Sequence, residues 1–358
     1  MTLPIKYSLR SLWGRRTTTF STAGGVALVV FVLAACLMLL NGLERTLGKT
    51  SSSSKVLVMQ TDAFSEAGSR LRKDSLAHVQ AAPGVLRDSD GAPRVTADSI
   101  VAVQFTQAQN PSRIVSLQVR GVSPNFQRLR PEVRLVAGRL PRSGTDEAMV
   151  GRAIVSRYGG LHLGGSFALK KNRDIRVVGV FEAQGMAFES EIWADIESVQ
   201  SSLGWQGFVS SVTAELASPG QFDAFKIALE SDKRLGYKVE REAAYYSRMA
   251  SGLTSVITAL GGAVTLIFSI GAMLGASITM YAAVNQRTQE IGVLRALGFG
   301  SAEVLTVFLL ETGLVALSGA SVGVLLSCFT PLVPFATVNA MTGNEVIVPF
   351  VLSPGTLL

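Results

Sequence analysis

Few residues of this 358-residue chain are of a type and spacing to do chemistry by themselves. Gly42-Leu-Glu-Arg-Thr-Leu-Gly48-Lys49-Thr50 has the look of a phosphate cradle. Such a loop needs four residues between its glycines and a strand before it, so that backbone amides converge on the phosphate. Here five intervene, and an apolar run precedes them, so the match is read as chance. Ser277 lies in apolar sequence, but a serine nucleophile in a membrane needs a histidine base beside it. The two histidines, His78 and His162, both lie in polar sequence and read as surface or turn residues. No HExxH motif occurs and no carboxylate pair stands out. Cys36 and Cys328 sit in apolar runs and the polar middle has no cysteine, which excludes a disulfide framework or thiol metal site there. The chain reads as non-catalytic, with no metal site and no cofactor of its own.

What remains is one charged cluster, Val284–Val304, VNQRTQEIGVLRALGFGSAEV. Its spacing predicts a short helix with Ile291, Leu294 and Leu297 on one face and charges at its ends. Gly298 and Gly300 stop that helix. Ser301, followed by Glu303 and Val304, serves as the N-cap of the next. On these residues alone an ordinary loop between helices fits as well.

The sequence that holds this cluster is of two materials. Charged residues make up 16% of the chain, against about 25% in soluble domains, and they are unevenly spread. None lies between Arg16 and Glu44 or between Arg248 and Arg287, and from Val304 to Glu345 the one internal charge is Glu311. From Glu44 to Arg248 there are 27 Lys/Arg and 22 Asp/Glu, an ordinary soluble balance that calls for no nucleic-acid partner. Crossing a bilayer takes about 20 apolar residues. Phe20–Leu40, Leu253–Val284 and Val304–Phe329 each suffice. The first run is too long for the apolar core of a signal peptide and is expected to be retained.

Lys6, Arg10, Arg15 and Arg16 precede the first run with no acid before Glu44. By the positive-inside rule the N-terminus is cytoplasmic and the polar middle lies outside. The expected organisation is a cytoplasmic amphipathic helix at 1–16, with Trp13 at the interface, and membrane helix one at 17–43. An extracytoplasmic domain follows at 44–248, long enough for two subdomains. Then come helix two at 249–284, a cytoplasmic segment at 285–303, helix three at 304–329, and a further outer loop at 330–358. Within the middle domain, 55–61, 100–105, 113–122, 166–171, 175–183 and 210–216 read as strands. Segments 65–82, 147–158, 195–203 and 222–232 read as helices, so the domain is mixed α+β. Residues 237–249 run into helix two without an intervening Pro or Gly, which predicts a stiff connection.

Gly271 and Gly275 in helix two, and Gly319 and Gly323 in helix three, form small-xxx-small patterns that let helix backbones approach. The partner helix belongs either to the same chain or to a second copy. Glu311, a charge that costs about 2.5–3.5 kcal/mol at mid-bilayer, lies near the inner interface and is expected to snorkel.

The run Gln286-Arg-Thr-Gln-Glu-Ile-Gly-Val-Leu-Arg-Ala-Leu-Gly298 resembles the signature of FtsX/MacB-type ABC transporter permeases. Leu9–Thr17 is similar to the basic segment before that family's first helix. Ala137-Gly-Arg139, Glu147–Gly151, Leu163-Gly-Gly165 and Val177–Val180 are similar to the MacB-like extracytoplasmic domain. The resemblance implies an α-helical transmembrane bundle with a mixed α+β domain inserted between helices one and two. Three helices are present, and the fourth is expected to be cut short near Ser353–Leu358. It implies a multi-pass protein of the bacterial inner membrane with a periplasmic domain. Two copies of a separate ABC ATPase would bind ATP and Mg. The other expected partners are a second permease subunit, identical or not, membrane lipids, and a periplasmic adaptor or substrate carrier. Arg287, Glu290 and Arg295 would contact the ATPase, Ile291 and Leu294 would fill a groove on it, and Gly298 would end the coupling helix. Mechanotransmission to the outer domain would then export or extract a lipoprotein, lipid, peptide or drug. A scaffold that activates a cell-wall hydrolase, or a membrane-anchored ligand sensor, are the alternatives.

Overall fold

The computed structural model describes residues 16–49, 54–170, 173–286, 288–296, 300–332, 335–338 and 343–351; the expected amphipathic helix at 1–16 lies almost wholly outside them. The chain divides into two compact units. One comprises the described parts of Met1–Asn41, Ser255–Pro334 and Pro349–Leu358; the other comprises Gly42–Thr254 with Phe335–Val348.

In chain order the elements are α1 (Arg16–Lys49), β1 (Lys55–Gln60), β2 (Leu71–Arg72), α2 (Ser75–Ala81), β3 (Val95–Thr106) and β4 (Ile114–Val122). Next are α3 (Phe126–Leu129), β5 (Arg134–Gly138), β6 (Glu147–Gly151), β7 (Ser166–Lys170), β8 (Arg173–Glu182), β9 (Glu191–Asp195) and α4 (Ile196–Leu203). Then β10 (Phe208–Val209), β11 (Ser211–Glu215), α5 (Phe222–Glu230), β12 (Tyr237–Arg241), α6 (Glu242–Gln286), α7 (Thr288–Ala296) and α8 (Ser301–Ser327). A hairpin of β13 (Phe335–Val338) and β14 (Glu345–Val348) follows.

Each of the six segments read as strands is one. Two helix expectations give way. Glu147–Gly151 is strand β6, buried between β9 and β8, because a five-residue apolar run carries no period that separates helix from strand. Residues 65–82 divide into a 3-10 turn at Glu66–Gly68, the short β2, and α2. The stretch before helix two opens as strand β12, and the helix begins at Glu242.

Nine strands run in the order β12-β1-β11-β3-β4-β9-β6-β8-β5, and β7 also pairs with β8. The β4–β9 and β6–β8 pairs are parallel and the rest antiparallel. One apolar cluster gathers Val56, Val58, Val212, Phe225 and Val239 near β1. A second gathers Leu117, Val119, Val150, Phe167, Ile175 and Ile192 near β4. Helix α4 is set on the second by Asp195, whose carboxylate caps Glu197 N and Ser198 N, and ends at Gly204 in the left-handed conformation. Gly121 lets it approach: a Cβ there would meet Ile196 Cα and Val199 Cβ at 3.0 Å.

Helices α1, α6 and α8 each include a stretch long and apolar enough to cross a membrane. A side chain at Gly319 or Gly323 of α8 would run into the carbonyl of Ala23 or Ala27 of α1. These two glycines therefore serve packing within one chain. At Gly271 and Gly275 of α6 a Cβ would meet nothing within 4 Å among the described residues.

Candidate functional site

Helix α7 carries the predicted coupling segment. Arg287 and Gly298 lie outside the described residues, and so do the side chains of Glu290 and Leu294. Ile291 is half-buried, Arg295 and Val293 are exposed, and α8 starts at Ser301. The segment is thus a short helix between two long ones, as its spacing predicts.

The most densely connected polar cluster lies in the sheet domain. It begins with strand β4, whose side chains alternate between faces. Val115, Leu117 and Val119 enter the core, and Ser116, Gln118 and Arg120 share the other face. By sequence that polar face belongs in water. In the structure Arg120 is fully buried, and all five of its N–H donors are engaged. Nε and Nη2 donate to the two oxygens of Glu191 at 2.8 and 3.1 Å. Nη1 and Nη2 donate to the two oxygens of Glu66 at 3.2 and 3.3 Å, and Nη1 also donates to Asp98 at 3.0 Å. A guanidinium presents five donors in a fixed fork, which an ammonium cannot reproduce.

The carboxylates are satisfied in turn. Glu191 also accepts from Gln118 Nε2 and Trp193 Nε1, both at 2.8 Å, and Glu66 from Ser211 Oγ at 2.8 Å. Burial pushes the Glu66 carboxyl up, but Arg120 and these hydrogen bonds outweigh it and hold it below the usual carboxylate range. Burial wins at Asp98, which is pushed up despite Arg120.

The first turns of α6 close over this face. Glu242, Tyr245, Tyr246 and Met249 are all buried and recur at i, i+3, i+4 and i+7, one side of a helix. Arg130, buried beside the cluster, donates from Nη1 to Glu242 Oε1 at 3.0 Å. The Glu66 amide donates to Tyr245 Oη at 3.1 Å. Tyr246 stands edge-on to Phe188 at 6.1 Å, and Phe188 edge-on to Trp193 at 5.4 Å. The Arg130 guanidinium lies 4.4 Å from the centre of the Phe188 ring. The root of α6 is thus held by ion pair, hydrogen bond and aromatic packing together.

The β13–β14 hairpin packs on the same face. Ser116 Oγ donates to Asn344 Oδ1 at 3.0 Å, Asn344 Nδ2 to Gln118 Oε1 at 3.3 Å, and the Ile347 amide to Ser190 Oγ at 3.1 Å. Ile347 joins the second apolar cluster.

Sequence reasoning missed this cluster because its members are far apart in the chain. A signal was present: Arg120 interrupts an apolar strand, and an i, i+3, i+4, i+7 stripe opens helix two. No group of three His, Cys, Asp or Glu side chains among the described residues is arranged to hold a metal.

Residues 19–232 match the family model of the MacB-like periplasmic core domain, and residues 262–358 that of the FtsX-like permease C-terminal region. The chain is 22% identical over 342 residues to the macrolide export ATP-binding/permease protein MacB of Shewanella sp. strain ANA-3, covering 90% of this chain and 52% of that one. It is 27% identical over 163 residues to the uncharacterized ABC transporter permease MJ1507 of Methanocaldococcus jannaschii, covering 44% and 40%. The chain spans about half, or less, of the length of these relatives. Among solved structures it is similar to the periplasmic region of MacB from Actinobacillus actinomycetemcomitans, with TM-score 0.40 and 14% identity over 58% of this chain and 97% of that one. The extracellular domain of the noncanonic ABC-type transporter YknZ from Gram-positive bacteria gives TM-score 0.39 and 14% identity over 52% and 99%.

Proposed function

The chain belongs to the family of the MacB-like periplasmic core domain, joined here to an FtsX-like permease region, and from that premise we propose that it is the permease subunit of an ABC transporter that works by mechanotransmission. Two ATPase subunits, in partner chains, would bind ATP and Mg and close against α7. A second permease subunit would complete the assembly. The work would be delivered to the sheet domain, outside the inner membrane, to export or extract a substrate.

The observation that carries this reading is helix α6. It runs unbroken from Glu242 to Gln286. One end is rooted in the sheet domain by Arg130–Glu242 and Glu66–Tyr245; the other leads through residue 287 into α7. A displacement applied at the Gln286 end of α6 has a continuous hydrogen-bonded helix along which to travel. On the ATPase side, Arg287, Glu290 and Arg295 would make ion pairs, and Ile291 and Leu294 would seat in a groove.

The test exchanges charge on α7. Glu290→Lys combined with Arg295→Glu, in the chain co-expressed with its ABC ATPase and reconstituted in lipid, should abolish stimulation of ATP hydrolysis while the subunits still co-purify. Stimulation unchanged in the double variant would sink the assignment of α7.

A further inference from the structure

The cluster beneath the root of α6 holds more negative groups than positive ones. Glu66, Asp98, Glu191 and Glu242 are buried there, against the guanidiniums of Arg120 and Arg130. Glu242 has Arg130 as its own partner at 3.0 Å. Lys55, which acts on Glu242 from β1, is taken by Glu132 at 3.0 Å. The surplus therefore falls on Arg120, one guanidinium among three carboxylates. A buried carboxylate without a cation of its own is costly, and such a group takes up a proton instead.

Hydrogen bonds pick out which of the three it is. Glu191 accepts from Arg120 Nε, Arg120 Nη2, Gln118 and Trp193. Glu66 accepts from Arg120 Nη1, Arg120 Nη2 and Ser211. The Asp98 carboxylate, 1% exposed as a residue, accepts from Arg120 Nη1 at 3.0 Å, and the same nitrogen serves Glu66 at 3.2 Å. The charged and titratable groups packed around Asp98 are Glu66 from the 3-10 turn, Arg120 from β4, Arg130 from the segment after α3 and Glu191 from β9. From α6 come Glu242, Tyr245 and Tyr246.

We propose that Asp98 carries a proton at neutral pH, and that this proton lets three carboxylates share one guanidinium under the root of α6. Burial acts on Asp98 in the same direction, pushing its carboxyl up despite Arg120. The consequence reaches the helix through Glu66, whose amide donates to Tyr245 Oη. Loss of the proton sets a second negative charge against Glu66 at the shared nitrogen, and like charges so placed repel. The turn that holds Tyr245 then loosens as pH rises. The proton itself does not depend on the transport reading.

Thermal unfolding of the full chain in detergent tests it against Asp98→Asn, which copies the neutral form. A raised carboxyl contributes stability that is fully present below its unfolded value and is lost as pH rises through the folded one. The midpoint of Asp98→Asn should therefore gain on that of the parent as pH rises from about 5 towards about 9, above the ordinary carboxylate range. A difference that stays flat over that range would overturn the proposal. Infrared spectra of the parent decide the matter even if the variant does not fold. At neutral pH a protonated-carboxyl band should be present and should shift when the chain is grown on isotope-labelled aspartate. The other buried aspartate, Asp195, has its oxygens on three donors, Ser143 Oγ, Glu197 N and Ser198 N. Absence of any such aspartate band would equally overturn it.

Discussion

Arg130 Nη1 donates to Glu242 Oε1 at 3.0 Å across 112 residues of sequence, with the two side chains 3% and 1% exposed. The pair joins the segment after α3 to the first residue of α6, so the long apolar helix starts from a fixed point in the sheet domain. Removing one member strands the other without a partner. Arg130→Met or Glu242→Gln should each destabilise the chain by about 3–5 kcal/mol, the cost of breaking a buried ion pair. The double variant should recover much of that loss, and chemical denaturation of the three variants in detergent measures the coupling.

Arg120 tests the same root from the other side. Arg120→Lys retains the charge but cannot reach Glu66, Asp98 and Glu191 together with five donors. Its unfolding midpoint should fall by an amount comparable to Arg120→Met. A lysine variant as stable as the parent would show that charge alone holds the cluster.

The α1–α8 contact is steric. Gly319→Leu and Gly323→Leu place a side chain against the carbonyls of Ala23 and Ala27, and overpacking of this kind costs about 1–3 kcal/mol. Gly271→Leu and Gly275→Leu meet no neighbour among the described residues of the chain and should leave its own stability unchanged. Unfolding midpoints at low protein concentration in detergent separate the two pairs.

One ion pair on the sheet edge gives a pH dependence. A hydrogen bond from Arg139 holds the Glu147 carboxyl down at about 2. A depressed carboxylate contributes stability that is present above its unfolded value and is lost as pH falls through the folded one. The difference between parent and Glu147→Gln should therefore be constant above about pH 5. It should close as pH falls from about 4 towards about 2. Arg139 is 45% exposed, so the difference is small and shrinks with added salt. Unfolding midpoints of both chains across pH 3 to 6 check the sign.

The local signals proved dependable where one interaction decides the outcome. Twenty uncharged apolar residues have few alternatives to a long helix, and α1, α6 and α8 follow from composition. The six apolar runs read as strands are strands, and residues 195–203, read as a helix, form α4 behind its cap Asp195. The reading failed at Glu147–Gly151 because a run that short suits a buried strand and a helix turn equally, and only the neighbours β8 and β9 choose between them. The family was legible in the run Gln286–Gly298 and in the glycine-bearing motifs of the middle domain, and the family matches bear that out.

By itself the sequence determined two materials, three long apolar helices, a strand-rich domain between the first and second, and the family. Tertiary structure alone decided where the polar face of β4 points. Ser116, Gln118 and Arg120 have the spacing of a wetted strand face. Arg120 is buried, and Ser116 and Gln118 are half-buried, because the α6 root at Glu242–Met249 and the hairpin ending at Val348 return to cover them, from more than a hundred residues away. Hydrophobic periodicity is a property of neighbours in the chain, and a buried charge is stable only through partners that no local window contains. The same reason divides the four glycines: all share one spacing, and only the packed helices show that Gly319 and Gly323 face α1 while Gly271 and Gly275 meet no neighbour among the described residues.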